Sequence, residues 1–301
     1  MKQVICIGLA VLDHIFYLPK IPKKPIKSFA SSYEIEGGGN AATAAVAVSR
    51  AGGQAVFWGS LGDDLNGDII LSELKEFGVD VKDVNRLNGL NSSVSSVLID
   101  NTGERLITNY TDRNLIKKAD WLPLGQLLKS DAVLADLRWQ EGALKTLSKA
   151  HELGIPGVLD ADLSPTVLDE EVIKNASHVI FSKPALNEFS QGKSTFEALH
   201  WVSEINGGWV GVTEGSSGTR WLDNGKLKHV PAFKVEVVDT LGAGDVFHGV
   251  FALSLAEGHF EESALLRASA AAALHCSRSG GRKTIPIRRE IDNLISHGSF
   301  V

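Results

Sequence analysis

Short unbroken apolar runs alternate with stretches of helical spacing along this chain. The runs are Val4 to Leu9, Ala55 to Gly59, Ala132 to Asp136, Gly157 to Asp160, His178 to Phe181 and Trp209 to Thr213. Each is too short for a buried helix and reads as a strand covered on both sides. Between them, Gly67 to Phe77, Gly142 to Leu153 and Phe196 to Ile205 repeat their apolar residues at helical spacing. The alternation predicts an α/β fold, a mainly parallel sheet with helices on both faces. In such sheets ligands gather at the carboxyl ends of the strands.

Two stretches break the rhythm. His14 to Glu36 and Ser92 to Thr111 are extended, of mixed polarity, with no helix between their apolar positions. They predict a small accessory β-structure that faces neighbours on both sides. With no low-complexity segment, linker or internal repeat, residues 1–301 are expected to form one domain.

Composition narrows the function. Hydrophobic residues make up 44% and charged residues 22%, ordinary for a globular enzyme. A net charge of −6 argues against a nucleic-acid partner, which selects a basic excess. No apolar run reaches the ~18 residues of a membrane span. The start Met1-Lys2-Gln3-Val4-Ile5 enters a strand directly, without a signal-peptide pattern, so a cytoplasmic location is expected. The two cysteines, Cys6 and Cys276, are read as separate buried thiols.

The densest chemistry lies at Val238-Asp239-Thr240-Leu241-Gly242-Ala243-Gly244-Asp245. The β-branched run Phe233 to Val238 predicts a strand, and Val246 to Ala256 a following helix. Small residues at a helix start let backbone N–H groups approach an anion, and the helix dipole adds to their pull. Asp245 is expected to be held there as an ionised carboxylate beside an oxyanion pocket. A base next to such a pocket is what phosphoryl transfer requires. A second glycine cluster, Gly37-Gly38-Gly39-Asn40, precedes the small-residue helix Ala41 to Ala51.

These two segments resemble the signature regions of the ribokinase-like (PfkB) carbohydrate kinase family, and the resemblance runs from Cys6-Ile7-Gly8 to Ser279-Gly280-Gly281. It implies a three-layer α/β/α architecture whose two extended stretches, about 14–36 and 92–112, form a β-sheet lid over a sugar. It further implies a homodimer joined through those lids. The substrates would be ATP and a small sugar, with Mg²⁺ accompanying the nucleotide.

The resemblance also distributes roles. Asp245 is implied as the general base, with the amides of Gly242, Ala243 and Gly244 around the moving phosphoryl group. Asp13, Gly38, Gly39 and Asn40 would hold the sugar. Thr213, Gly215 and Gly218 would form the nucleotide-phosphate turn, and Ala272 and His275 the adenine wall. The family's NxxE magnesium motif is half present: Glu188 is kept, to act through water, but Ala185 replaces the asparagine. Asp239, Arg278 and Gly281 resemble a region that holds a monovalent cation in some members. At position 43, where ribokinases often carry asparagine, this chain has threonine, which speaks against ribose.

Lys27, Asn109 and Arg138 stand near the expected sugar end, a donor set suited to a tetrahedral anion. Three segments, Val133 to Trp139, Pro231 to Val235 and Asp245 to Gly249, are similar to the 6-deoxy-6-sulfofructose kinases within that family. In that group the lysine, asparagine and arginine meet the sulfonate, which implies phosphorylation of C1 of an anionic ketose in sulfoquinovose breakdown. Charge alone leaves a fructose-6-phosphate or tagatose-6-phosphate kinase open, and fold alone leaves open a sugar-binding regulator without catalysis.

Overall fold

The computed structural model describes residues 1–301. The first half contains β1 (Gln3–Ile7), β2 (Val11–Leu18), β3 (Ser32–Gly38), α1 (Asn40–Arg50), β4 (Gln54–Trp58), β5 (Ser60–Gly62), α2 (Leu65–Glu76), β6 (Asn85–Leu87), β7 (Ser93–Asp100), β8 (Arg105–Tyr110) and β9 (Ala132–Asp136). The centre follows with α3 (Gln140–Leu153), β10 (Gly157–Ala161), α4 (Glu170–Asn175), β11 (His178–Ser182), α5 (Lys183–Phe189), α6 (Thr195–Asn206) and β12 (Trp209–Thr213). The chain closes with β13 (Thr219–Asp223), β14 (Lys226–Val230), α7 (Ala243–Ala256), α8 (Glu261–Cys276) and α9 (Arg288–His297).

The main sheet has eight strands in the order β14-β13-β12-β11-β10-β9-β1-β4, parallel except at the β13 and β14 edge. Its apolar runs face both ways because successive side chains on a strand alternate. Val4 and Cys6 point into one buried cluster with α1, α7 and α8, while Ile5 and Ile7 point into a second with α3, α4 and α6. Burial of each such side chain stabilises the fold by about 1.5–3 kcal/mol. Helix α7 lies inside the first layer, and every residue from Val246 to Ala256 is buried, so it shows no polar face.

The two extended stretches form a second, four-stranded sheet in the order β3-β2-β7-β8. Its strands span Val11–Leu18 with Ser32–Gly38 and Ser93–Asp100 with Arg105–Tyr110, so the first half begins earlier than 14. Asp13 consequently lies on this second sheet, within β2. One face is set by register: Glu36 and Ser95 flank Asp13, and Asn109 pairs with Ser95. These four residues therefore form a polar row across all four strands.

One expected strand is absent. Phe233 to Val238 is irregular apart from a single bridge between Phe233 and Phe300. Val237 and Val238 are exposed, and the Val238 amide bonds the Cys276 carbonyl instead of a sheet neighbour. Both cysteines are free thiols; Cys6 is buried, Cys276 only partly so.

Candidate active site

Two cavities meet at the start of α7. The first, of about 360 Å³, is lined by Asp13, Asn109, Arg138 and Asp245, and by Gly38, Gly39 and Asn40. The second, of about 300 Å³, is lined by Thr213, Gly215, Gly218 and Ala272, and by Phe233, Val237 and Phe247. Gly244 touches both, whereas Gly242 faces the first and Ala243 the second. A polar chamber and a largely apolar one thus share one helix N-terminus.

Gly242 caps α7 with φ of 75°, a left-handed conformation that a side chain would strain. The turn leaves the amides of Gly242, Gly244 and Asp245 without a partner in the chain, while Ala243 N–H reaches the Thr240 carbonyl at 3.3 Å. Free amides at the positive end of a helix are an anion-binding arrangement.

Asp245 is not held as an easily ionised acid. Burial pushes its pKa well up, and the neighbouring charges of Asp160, Asp162 and Asp136 push it further, against the pull of Arg282. This reverses the expectation of a carboxylate kept ionised; a raised value instead suits a proton acceptor working near neutral pH. Asp136 and Asp160 lie at the ends of β9 and β10, and Asp162 one residue beyond β10. Asp136 accepts from the amides of Leu9, Ala41 and Arg138 at 2.8, 3.1 and 2.9 Å. Asp160 stands 3.5 Å from the buried His248, whose Nδ1 lies 2.7 Å from the Gly244 carbonyl.

In the polar chamber, Gly38 matters for its missing side chain: a Cβ there would collide with the Asp13 carboxylate. Burial raises the pKa of Asp13, opposed by a bond from Ser95 and by Arg282. Asn109 donates to the Val94 carbonyl at 3.3 Å and to Ser95 Oγ at 3.2 Å. Asn40 Nδ2 reaches Asp160 at 3.5 Å. Arg138 is half-buried, and its guanidinium makes no ion pair; only its backbone amide is used, by Asp136.

The sequence did not point to Arg282. It is 3% exposed and donates to Thr43 Oγ1 at 3.2 Å, Glu73 Oε2 at 2.9 Å and the Gly38 carbonyl at 2.6 Å. Asp136, Asp160, Asp162, Glu36 and His248 were missed as well. The signal for the first three was available: each is an acid at the end of an apolar strand, where ligands gather.

Three expected residues lie elsewhere. Lys27 is exposed on the β2–β3 loop, its Nζ 5.5 Å from the centroid of Phe29, and lines neither cavity. His275 lines the polar cavity, not the apolar one, because its Nε2 is drawn to the Leu241 carbonyl at 2.7 Å. Glu188 is exposed on α5 and lines a separate cavity, which it shares with Asp162.

No group of three or more metal-ligating side chains is present. Asp162 and Glu188 line one cavity, and Mg²⁺ carried on nucleotide phosphates needs only one or two carboxylates. A monovalent cation at Asp239 fits less well. Asp239 is paired with Arg105, and Arg278 bonds the Thr284 carbonyl and Glu290. No helix is long and apolar enough to cross a membrane.

A glycine-capped helix start with free amides between a polar and an apolar chamber, on a parallel sheet with a small second sheet, is suited to holding an anionic group between two ligands. Residues 1–288 match the pfkB family carbohydrate kinases, and the chain belongs to that family. It is 30% identical to the ribokinase of Bacillus subtilis (strain 168) over 98% of this chain and 100% of that one. A crystal structure of a candidate ribokinase from Agrobacterium tumefaciens superposes with a TM-score of 0.93 at 38% identity, over 98% and 97% of the two chains. The fold is shared with Arabidopsis thaliana ribokinase, solved with ribose and ATP, at a TM-score of 0.84, 22% identity and 98% and 99% coverage. The chain is an ATP-dependent carbohydrate kinase.

Proposed function

We propose that this kinase phosphorylates C1 of 6-deoxy-6-sulfofructose, giving the 1-phosphate in sulfoquinovose breakdown. The carrying observation is that Arg138, with no ion-pair partner, lines the same cavity as Asp13, Asn109 and Asp245. An unpaired guanidinium facing a sugar pocket favours an anionic substrate over a neutral one.

The pocket's charges bear on which anion. Asp13, Glu36, Asp162 and Asp245 line it against Arg138 and Arg282, and Arg282 is already paired with Glu73. A phosphate monoester carries about −1.5 to −2 near neutral pH, whereas a sulfonate carries a single charge. Among so many carboxylates the monoanion meets less repulsion. A ketose 6-phosphate is the second reading, supported by the same guanidinium.

In this reading Asp13, Asn40 and the Gly38-Gly39 backbone hold the sugar hydroxyls, and Arg138 and Asn109 take the sulfonate. Lys27 would join them on movement of its loop. Asp245 accepts the C1 hydroxyl proton as that oxygen attacks the γ-phosphorus of ATP, the bond from the γ-phosphorus to the β–γ bridging oxygen breaks and ADP leaves. The free amides of Gly242 and Gly244 steady the charge that develops on the transferring group, the type of contact worth roughly 100- to 1,000-fold in rate. ATP occupies the apolar chamber, with Ala272 along the base and the Thr213–Gly218 turn at the phosphates. Mg²⁺, when bound, neutralises phosphate charge; Asp162 and Glu188 would reach it through water. The second sheet acts as a lid that excludes water from the transfer. Its outer face exposes Tyr33, Ile35, Leu106 and Tyr110, an apolar patch suited to pairing with a second copy.

Competition between 6-deoxy-6-sulfofructose and fructose 6-phosphate tests the reading. The expected result is higher kcat/KM for the sulfonate, and loss of that preference in Arg138→Ala. Equal use of both sugars, or unchanged preference in the variant, would overturn it.

A further inference from the structure

We infer that Arg105, on the second sheet, is a positioning residue for phosphoryl transfer, acting as the built-in cation of the phosphate turn. It rests on the reading of residues 239–245 as that turn. Arg105 lies on β8, far in sequence from Asp239, yet its guanidinium pairs with the Asp239 carboxylate and its Nη1 donates to Thr240 Oγ1 at 3.3 Å. The side chains of Arg105 and Asp239 are each only 20% exposed. The oxygen that Arg105 binds also accepts the Leu241 amide at 2.8 Å. Leu241 is the residue before Gly242, whose left-handed turn opens the free amides at the start of α7. The amides of Val238 and Asp239 both bond the Cys276 carbonyl, at 2.8 and 3.1 Å. The turn is thus pinned from the helix side by α8 and from the other side by the second sheet.

This arrangement already gives Asp239 a cationic partner and an amide donor on one oxygen, so an alkali cation there would compete with Arg105. A guanidinium stays protonated at any working pH and offers a planar fork, so it supplies permanently the positive charge that a bound ion would bring. Because Arg105 shares β8 with Asn109, the strand that carries a sugar contact also holds the turn that meets the phosphate. A shift of that strand would move both.

The test uses the ligand-free protein first. Thermal unfolding of the wild type is compared in potassium chloride and tetramethylammonium chloride at equal ionic strength. Equal midpoints are expected for the wild type, and a midpoint raised by potassium for Arg105→Ala, whose Asp239 is left open to the ion. This readout involves neither nucleotide nor sugar, so its failure is separate from failure of the kinase reading. In steady-state kinetics Arg105→Ala should lose on the order of tenfold to a hundredfold in kcat, the range for a misplaced reacting group. Arg105→Lys should recover part of it, and potassium should restore part of the activity of the alanine variant alone. Potassium-dependent stability or activity in the wild type would overturn the inference. So would undiminished kcat in Arg105→Ala. Should the alanine variant fail to fold, the wild-type salt comparison and Arg105→Lys decide the matter.

Discussion

Arg282 donates its Nη2 to the carbonyl of Gly38 at 2.6 Å, joining the glycine turn near the C-terminus to the glycine loop beside the polar chamber. The same guanidinium holds Thr43 and Glu73. Residue 43 lines the same chamber, and its hydroxyl accepts from this internal arginine. Arg282→Met would remove a buried cation and leave Glu73 uncompensated, a loss of about 3–5 kcal/mol. Urea unfolding near neutral pH should show a lower midpoint with an unchanged slope. A change below about 1 kcal/mol would mean that the network contributes little.

The acid cluster predicts a pH-dependent stability. Burial, with the nearby charge of Asp160, pushes Asp136 from 3.8 up to about 6 despite three amide donors. Between those values the folded chain keeps a proton that the unfolded chain has released, so this group's contribution falls as pH rises across the window. Asp136→Asn lacks the titration. The stability of the wild type relative to that variant should decline by about 2 kcal/mol from pH 4 to pH 6.5. A constant difference across that range would show an unperturbed Asp136.

Activity should carry the same signature. Asp245 must be ionised to accept a proton, and burial with Asp160, Asp162 and Asp136 raises its pKa. The acid limb of kcat/KM should therefore lie above the ordinary range for aspartate, about 4. Asp162→Asn removes one of those charges and should move the limb to lower pH. A limb that stays fixed would separate Asp162 from the proton transfer.

The fold was largely legible in the sequence because the main-sheet strands are locally apolar on both faces. Ala132 to Asp136 and Trp209 to Thr213 were read at their true ends. Phe233 to Val238 misled because β-branched composition alone does not provide a strand partner; the sheet ends at β14 and the segment lies over the apolar chamber. The two glycine clusters and Asp245 came together as expected. Arg282 was invisible, since nothing local marks an arginine that will be buried by residues 200 and more positions away. His275 was misplaced because a helix's spacing does not say which side of a turn its last residues meet.

The outer face of the second sheet gives a test of assembly. Leu106 is 49% exposed on the same face of the sheet as Tyr33 and Tyr110. Leu106→Glu should convert a dimer into a monomer in sedimentation experiments, because a charge in an apolar interface is strongly unfavourable. A wild type that already sediments as a monomer would rule out pairing through this face.

The central claim is the proton transfer to Asp245, and single-turnover phosphorylation by Asp245→Asn probes it most directly. The account predicts a folded variant at least as stable as the wild type near neutral pH, because the buried carboxylate is gone, with wild-type binding of ATP. Its phosphoryl transfer from saturating ATP to 6-deoxy-6-sulfofructose should be slowed by roughly 100- to 10,000-fold, the range for losing a general base. Transfer within about threefold of the wild-type rate would contradict the account.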